Sequence, residues 1–146
     1  MSILDPALSL SDRHWWYRYR PLLIRLSKFM LVGGTGVLVN NLALLILFQW
    51  VHLPLLVASV RASELAIINN FYWNDRWTFK CTRISLSRFA RFNLVGLSGL
   101  IITTGTLWVL VSHLGLYYLV ANLVGISLAM VWNFAVNSRW TWGGVQ

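Results

Sequence analysis

Four near-continuous apolar runs divide the chain, at residues 29–50, 55–74, 92–112 and 117–137. Each has the roughly 20 residues that an α-helix needs to cross ~30 Å of hydrocarbon. The first and last breaks, 51–54 and 113–116, are tight, whereas the middle one, 75–91, is longer and basic. Small and polar residues recur inside the runs at helical spacing. Gly33, Gly36 and Asn40 share a face in the first run, as do Gly96, Gly99 and Thr103 in the third. Ser59, Ser63, Ala66, Asn70 and Asn74 form a stripe in the second, matched by Asn122, Ala129, Asn133 and Asn137 in the fourth. Small residues let backbones approach and amides bond across helices, so Gly33, Gly36, Gly96 and Gly99 are expected at helix–helix contacts.

The pattern occurs twice. Asn70, Phe71, Asn74, Arg76, Trp77 and Thr78 recur as Asn133, Phe134, Asn137, Arg139, Trp140 and Thr141, a constant shift of 63 residues (133 − 70). The same shift carries Phe29, Val32, Gly33 and Gly36 onto Phe92, Val95, Gly96 and Gly99. Two motifs sharing one offset point to an internal duplication, with one repeat at about 22–79 and the other at about 85–142. Each repeat holds two runs, so the chain returns to its starting side before the second begins. The expected fold is all-α and integral to the membrane: four transmembrane helices at 29–142, built as two parallel two-helix repeats.

Composition agrees. The chain is 58% hydrophobic and 11% charged, with a mean hydropathy of +0.64, and a water-soluble domain averages about 25% charged residues. The net charge of +8 does not point to nucleic acid, because the bases flank the apolar runs. Of the twelve Lys and Arg residues only Arg61 lies inside a run. By the positive-inside rule both termini and the middle linker are cytoplasmic, in the cell membrane. Residues 1–28 lack the apolar core and cleavage site of a signal peptide. They interleave bases with aromatic rings in RHWWYRYR, as interfacial segments facing membrane lipid do. Cys81 is the lone cysteine, and His14, His52 and His113 have no ligand spacing. No metal or cofactor is expected.

The polar residues within the runs carry the candidate chemistry. Asn70 and Asn74, like Asn133 and Asn137, lie one turn apart, either as interhelical ties or as the lining of a shared cavity that bonds sugar hydroxyls or phosphate. Trp73, Trp77, Trp140 and Trp142 are expected as interfacial anchors. Arg61 and Glu64 are helix neighbours near mid-span, where charge is costly and usually faces a cavity or a partner. They are expected to join the polar path, and the second repeat has Val124 and Ser127 in their places. There is no Ser–His–Asp set, no paired carboxylate and no phosphate-binding glycine loop, so no enzyme activity is expected.

FMLVGGTGVLVNNLALL and NNFYWNDRWTF resemble the two signatures of the GtrA-like family, and the resemblance extends over 22–142. A similar membrane domain is fused to some dolichol-phosphate mannose synthases. The resemblance implies a flippase that carries a polyprenyl-phosphate-linked sugar to the outer leaflet for cell-surface polysaccharide or glycolipid synthesis. Family motif residues carried over are Gly33, Gly36, Asn70, Asn74, Trp77 and Thr78; the second repeat departs from the first with Trp142 for Phe79 and Thr103 for Asn40. On this reading Arg76 and Arg139 attract the phosphate. Asn40, Arg61, Glu64, Asn70, Asn74, Asn133 and Asn137 line the path of the sugar. Two rivals are a membrane scaffold for a glycosyltransferase and a small exporter with Glu64 as its proton-coupled carboxylate. A homodimer or larger assembly is expected, since four short helices enclose little volume.

Overall fold

Proline 21 does not interrupt the first helix. In the computed structural model, which describes residues 10–144 and side chains from Tyr17 onward, α1 runs unbroken over Leu10–Leu45. Its 36 residues make a rod of about 54 Å at 1.5 Å per residue, well beyond a ~30 Å hydrocarbon core. The separate segment expected at 1–28 is therefore continuous with the first span where it is described, and residues 1–9 lie outside the described residues. Helix α2 covers Leu55–Trp73, α3 covers Leu86–Ser112 and α4 covers Tyr118–Val136.

Three of these helices end or continue in a single π turn, at Ile46–Trp50, Asn74–Thr78 and Asn137–Thr141. There the backbone N–H groups of Val51, Phe79 and Trp142 bond five residues back, at 2.9–3.0 Å. The middle linker is consequently shorter than expected. Residues 74–78 are still helical, and α3 starts at Leu86 because the Ser85 side chain caps it by accepting from the Arg88 N–H at 3.4 Å. The bounds of α2 and α4, and of the two π turns that follow them, each differ by 63 residues (118 − 55, 137 − 74). The tight connections share the offset too: His52 and Gly115 both take a left-handed backbone, at φ of 59° and 62°.

Helix α1 packs along α2 and α3 along α4, while the two hairpins touch each other over a much smaller area. The buried seams are made of small residues four apart: Ala58, Ala62 and Ala66 on α2, and Ala121, Gly125 and Ala129 on α4. Opposite them Val32 and Gly36 of α1, and Val95 and Gly99 of α3, are buried. Of the expected stripes Ala66 and Ala129 lie in these seams, whereas Ser59 and Ser63 are exposed, one position away from Ala58 and Ala62. A helix seam uses the residues whose backbones approach most closely, and alanine loses no hydrogen bond on burial. At Gly125 backbone meets backbone: an added Cβ would lie 2.9 Å from the Thr103 carbonyl oxygen.

Outward faces carry Leu56, Leu97, Ile101, Leu123 and Val131, all more than half exposed, an apolar surface suited to lipid. Among the described residues three helical stretches are long and apolar enough to cross a membrane: Tyr17–Trp50, Leu86–Ser112 and Tyr118–Thr141. Helix α2 has 19 residues but carries Arg61, Glu64, Asn69 and Asn70, which lower its hydropathy.

Candidate functional site

Between the hairpins lies a cavity of about 580 Å³. Asn70 and Asn74 reach it from the end of α2, and Asn133 and Asn137 from the end of α4. The four amides nominated from sequence thus line one space, yet they divide into two kinds. Asn74 and Asn137 are 1% exposed and open the π turns. The Asn74 Oδ1 accepts from the Thr78 hydroxyl at 3.0 Å, and the Asn137 Oδ1 from Thr141 at 2.7 Å. The Asn74 Nδ2 donates to the Asn70 carbonyl at 2.9 Å. These clasps explain the Asn-x-x-Trp-Thr spacing, because a side chain four residues on closes the turn.

Asn70 and Asn133 are different. Their Oδ1 atoms are buried and accept no hydrogen bond. The Asn70 amide lies against Gly36 and the Asn133 amide against Gly99, so closely that any Cβ there would collide with it. Gly36 and Gly99 therefore exist to seat an amide, in both hairpins alike. Gly33 and Gly96, expected at helix contacts, have nothing within 4 Å of an added Cβ and line the cavity instead. Thr103 lines it as well, with its hydroxyl donating to the Gly99 carbonyl at 3.1 Å.

Other expected members lie elsewhere. Arg61 and Glu64 pair at 2.9 Å with side chains 65% and 52% exposed, on a face of α2 apart from the cavity. The row of Ala58, Ala62 and Ala66 occupies the buried face of that helix, and the pair lies off it. Asn40 donates to the Ser63 hydroxyl at 3.2 Å and lines a shallow groove of about 310 Å³ that it shares with Asn70. Arg76 is committed to the loop, donating to the carbonyls of Cys81 at 3.1 Å and Thr82 at 2.7 Å. Arg139 is exposed. Trp73, Trp77 and Trp140 are 41–47% exposed, as anchors would be. Lys28 sits 5.0 Å above the Trp77 ring and Arg91 5.7 Å from that of Trp140.

Trp142 is no interfacial anchor. It is fully buried, stacked on Phe79 with ring centres 4.1 Å apart and planes 6° from parallel. Its Nε1 donates to the Asp75 Oδ1 at 2.9 Å. Asp75, equally buried, also accepts from the Arg88 Nε at 2.9 Å and Nη2 at 3.4 Å. One carboxylate thus ties the end of the second hairpin and the start of α3 to the π turn of the first. Sequence reasoning passed over Asp75 as a linker residue. The available signal was the scarcity of acids, four in the whole chain, with this one inside the repeated motif. Beside it Cys81 is 4% exposed. Burial, then the charge of Asp75 and a hydrogen bond to it, push the thiol from 9.0 to about 11, against the opposing charges of Arg88 and Arg76. Among the described residues no group of His, Cys, Asp and Glu is placed to hold a metal ion.

Long apolar helices around an amide-lined cavity define a helical membrane protein. The sequence model of the family described as GtrA/DPMS, transmembrane domain, matches residues 28–142, and the chain belongs to that family. A dolichol-phosphate mannosyltransferase of Pyrococcus furiosus is 42% identical over 120 residues, covering 81% of this chain and 34% of that protein. The chain therefore spans about a third of the length of that relative. The uncharacterized membrane protein YngA of Bacillus subtilis is 29% identical over 122 residues, covering 81% of this chain and 79% of YngA.

Proposed function

We propose that the protein translocates a polyprenyl-phosphate-linked sugar across the cell membrane, moving it without chemical change. The observation that carries this reading is the pair of amides, Asn70 and Asn133, set at equivalent places in the lining of one cavity of about 580 Å³, each with an Oδ1 that the chain leaves without a partner. Ligand pockets run from about 300 to 1,000 Å³, and a sugar offers hydroxyl donors that two fixed amide oxygens suit. Family membership and the mannosyltransferase relative support lipid-linked sugar as the substrate class. In this arrangement four helices cross the membrane as two parallel repeats, with both termini and the 79–85 connection cytoplasmic. The shared 63-residue offset of helix bounds supports the duplication, and the position of the bases supports the orientation.

The test is transport in vesicles reconstituted with the protein and a polyprenyl-phosphate sugar, read by enzymatic access to the sugar from outside. Asn70→Leu and Asn133→Leu should each lower the rate at least about tenfold while the helices insert and fold, because each removes an acceptor made only to the ligand. Transport at the wild-type rate in both variants would refute the site.

A second reading has its own support. The match covers 34% of a protein named as a mannosyltransferase, which supports a reading of this chain as the membrane base of a glycosyltransferase. In that case the vesicles show no translocation, and the protein co-purifies with a glycosyltransferase.

A further inference from the structure

Three bases converge on a second pocket, of about 270 Å³, where α1 passes the end of the first hairpin. Arg25 and Lys28 come from α1, and Lys80 from the connection after the π turn, with Phe79 as a wall. Lys80 is held at φ 55°, a left-handed conformation that side-chain-bearing residues seldom take. The acids with described side chains, Glu64 and Asp75, are spoken for by Arg61 and Arg88. Neither pairs with any of these three bases. Like charges brought together repel, and among the described residues no acid answers them, so the pocket suits an added anion.

The 63-residue offset says which kind of group is missing. It relates Arg25 to Arg88, Ser138 to Asp75 and Phe79 to Trp142 (88 − 25, 138 − 75, 142 − 79). In one half the arginine is answered by the buried carboxylate of Asp75, itself held by the Trp142 Nε1. In the other half the carboxylate position is Ser138, whose buried hydroxyl has no partner, and the indole position is Phe79, which has no donor. The offset thus relates Arg25 to an arginine with an internal carboxylate, while Arg25 itself lines an open pocket.

We propose that Arg25, Lys28 and Lys80 form the seat of a phosphoryl group carried by a lipid. The phosphate then docks on α1 rather than on Arg76, whose guanidinium is occupied by loop carbonyls. The reach from the pocket to lipid is short, because Lys28 also lies over the half-exposed Trp77 ring. That the lipid is a prenyl carrier rests on the translocation reading; that the seat takes a phosphoryl group does not.

The experiment titrates farnesyl phosphate into the full chain in phosphatidylcholine nanodiscs, followed by the phosphorus NMR signal, with farnesol as the uncharged control. Arg25→Gln should weaken binding at least about tenfold, the scale of a lost charge-assisted contact, and Lys28→Gln and Lys80→Gln about threefold or more each. Arg18→Gln, which removes the same charge outside the pocket, should stay within about twofold. Ser138→Asp places a carboxylate at the position the offset relates to Asp75, so it should weaken binding and raise the melting temperature. Arg25→Lys should recover part of the affinity if a cation is what the site needs. Unchanged affinity in Arg25→Gln, or binding undiminished in Ser138→Asp, would overturn the seat.

Discs of phosphatidylglycerol separate the sources of the phosphate. Farnesyl phosphate binding that survives in them supports the carrier. Binding displaced by that lipid makes the seat one for bulk headgroups and overturns the carrier assignment. Wild-type vesicles that bind farnesyl phosphate but do not transport remove the translocation reading and leave the seat standing.

Discussion

Replacing Trp142 by phenylalanine should unlatch the two hairpins at the end where they meet. The new ring still covers Phe79, whose centre lies 4.1 Å away, so the stacking survives. What disappears is the Nε1–H bond to Asp75 at 2.9 Å and the volume of the second indole ring. A hydrogen bond to a charged group contributes about 1.5–3 kcal/mol, and the void adds to this, for a total of about 2–4 kcal/mol. Arg88→Met should cost about 3–5 kcal/mol by leaving a buried carboxylate without its cation. Both act on the same carboxylate, so the double variant should depart from additivity by about 0.5–3 kcal/mol. The assay is equilibrium unfolding in mixed micelles titrated with sodium dodecyl sulfate and followed by far-ultraviolet circular dichroism. Trp140→Phe is the control: that ring is 47% exposed and should stay within about 0.5 kcal/mol of wild type. Equal midpoints for Trp142→Phe and Trp140→Phe would refute the latch.

Gly36→Ala and Gly99→Ala, whose Cβ atoms collide with the Asn70 and Asn133 amides, should each destabilise by about 1–3 kcal/mol, whereas Gly33→Ala and Gly96→Ala stay near neutral in the same unfolding assay. The double change Arg61→Leu with Glu64→Leu should fold and transport normally, because that pair lies outside the cavity; loss of transport would return it to the path of the sugar. Cys81, with its thiol raised from 9.0 to about 11, should react with maleimide at pH 8 about 100-fold more slowly than an ordinary thiol, two units being two decades of thiolate. The sign for stability follows: the folded form holds this proton more tightly, so stability is full below about pH 9 and falls as pH rises through about 11. Topology is therefore better read from cysteines placed at Leu53, Gly115 and Thr82 in a Cys81→Ala background, with only the first two labelled from outside intact cells.

The helical class and the meeting of four amides were legible because both are periodic. Apolar runs of spanning length leave few alternatives, and a 63-residue offset aligns Asn70 with Asn133 without any knowledge of packing. Register was less accessible. Ser59 and Ala58 are adjacent in sequence and about 100° apart on a helix, and only the partner helix decides which of them is buried. The roles of the bases were obscured for a similar reason. Arg76 and Arg139 stand at equivalent places in the motif, but Arg76 folds back on carbonyls that a loop of irregular shape presents. Trp142 shows the limit most clearly. At the edge of an apolar run tryptophan favours the interface, and nothing local says that a carboxylate 67 residues away will draw it inward.

Two asparagines per hairpin, one turn apart, look alike in sequence, and energetics separates them. Asn74 and Asn137 repay their burial with the Thr78 and Thr141 clasps, so a structural role accounts for them in full. Asn70 and Asn133 do not. An unpaired buried carbonyl costs about 1–3 kcal/mol, and the chain carries that cost twice, at the same place in each hairpin. Each amide further requires a glycine on the facing helix, Gly36 or Gly99, at a position where alanine would favour the helix by about 1 kcal/mol. A leucine in place of each amide, with alanine opposite, would be cheaper as scaffolding, and apolar seams four residues apart already hold the helices together. On the translocation reading the expense is recovered when a sugar fills the cavity and bonds the two amides. Stability and transport should then separate at these positions: Asn70→Leu leaves the unfolding midpoint level or higher and lowers translocation at least about tenfold, while Asn74→Leu opens the π turn and lowers both.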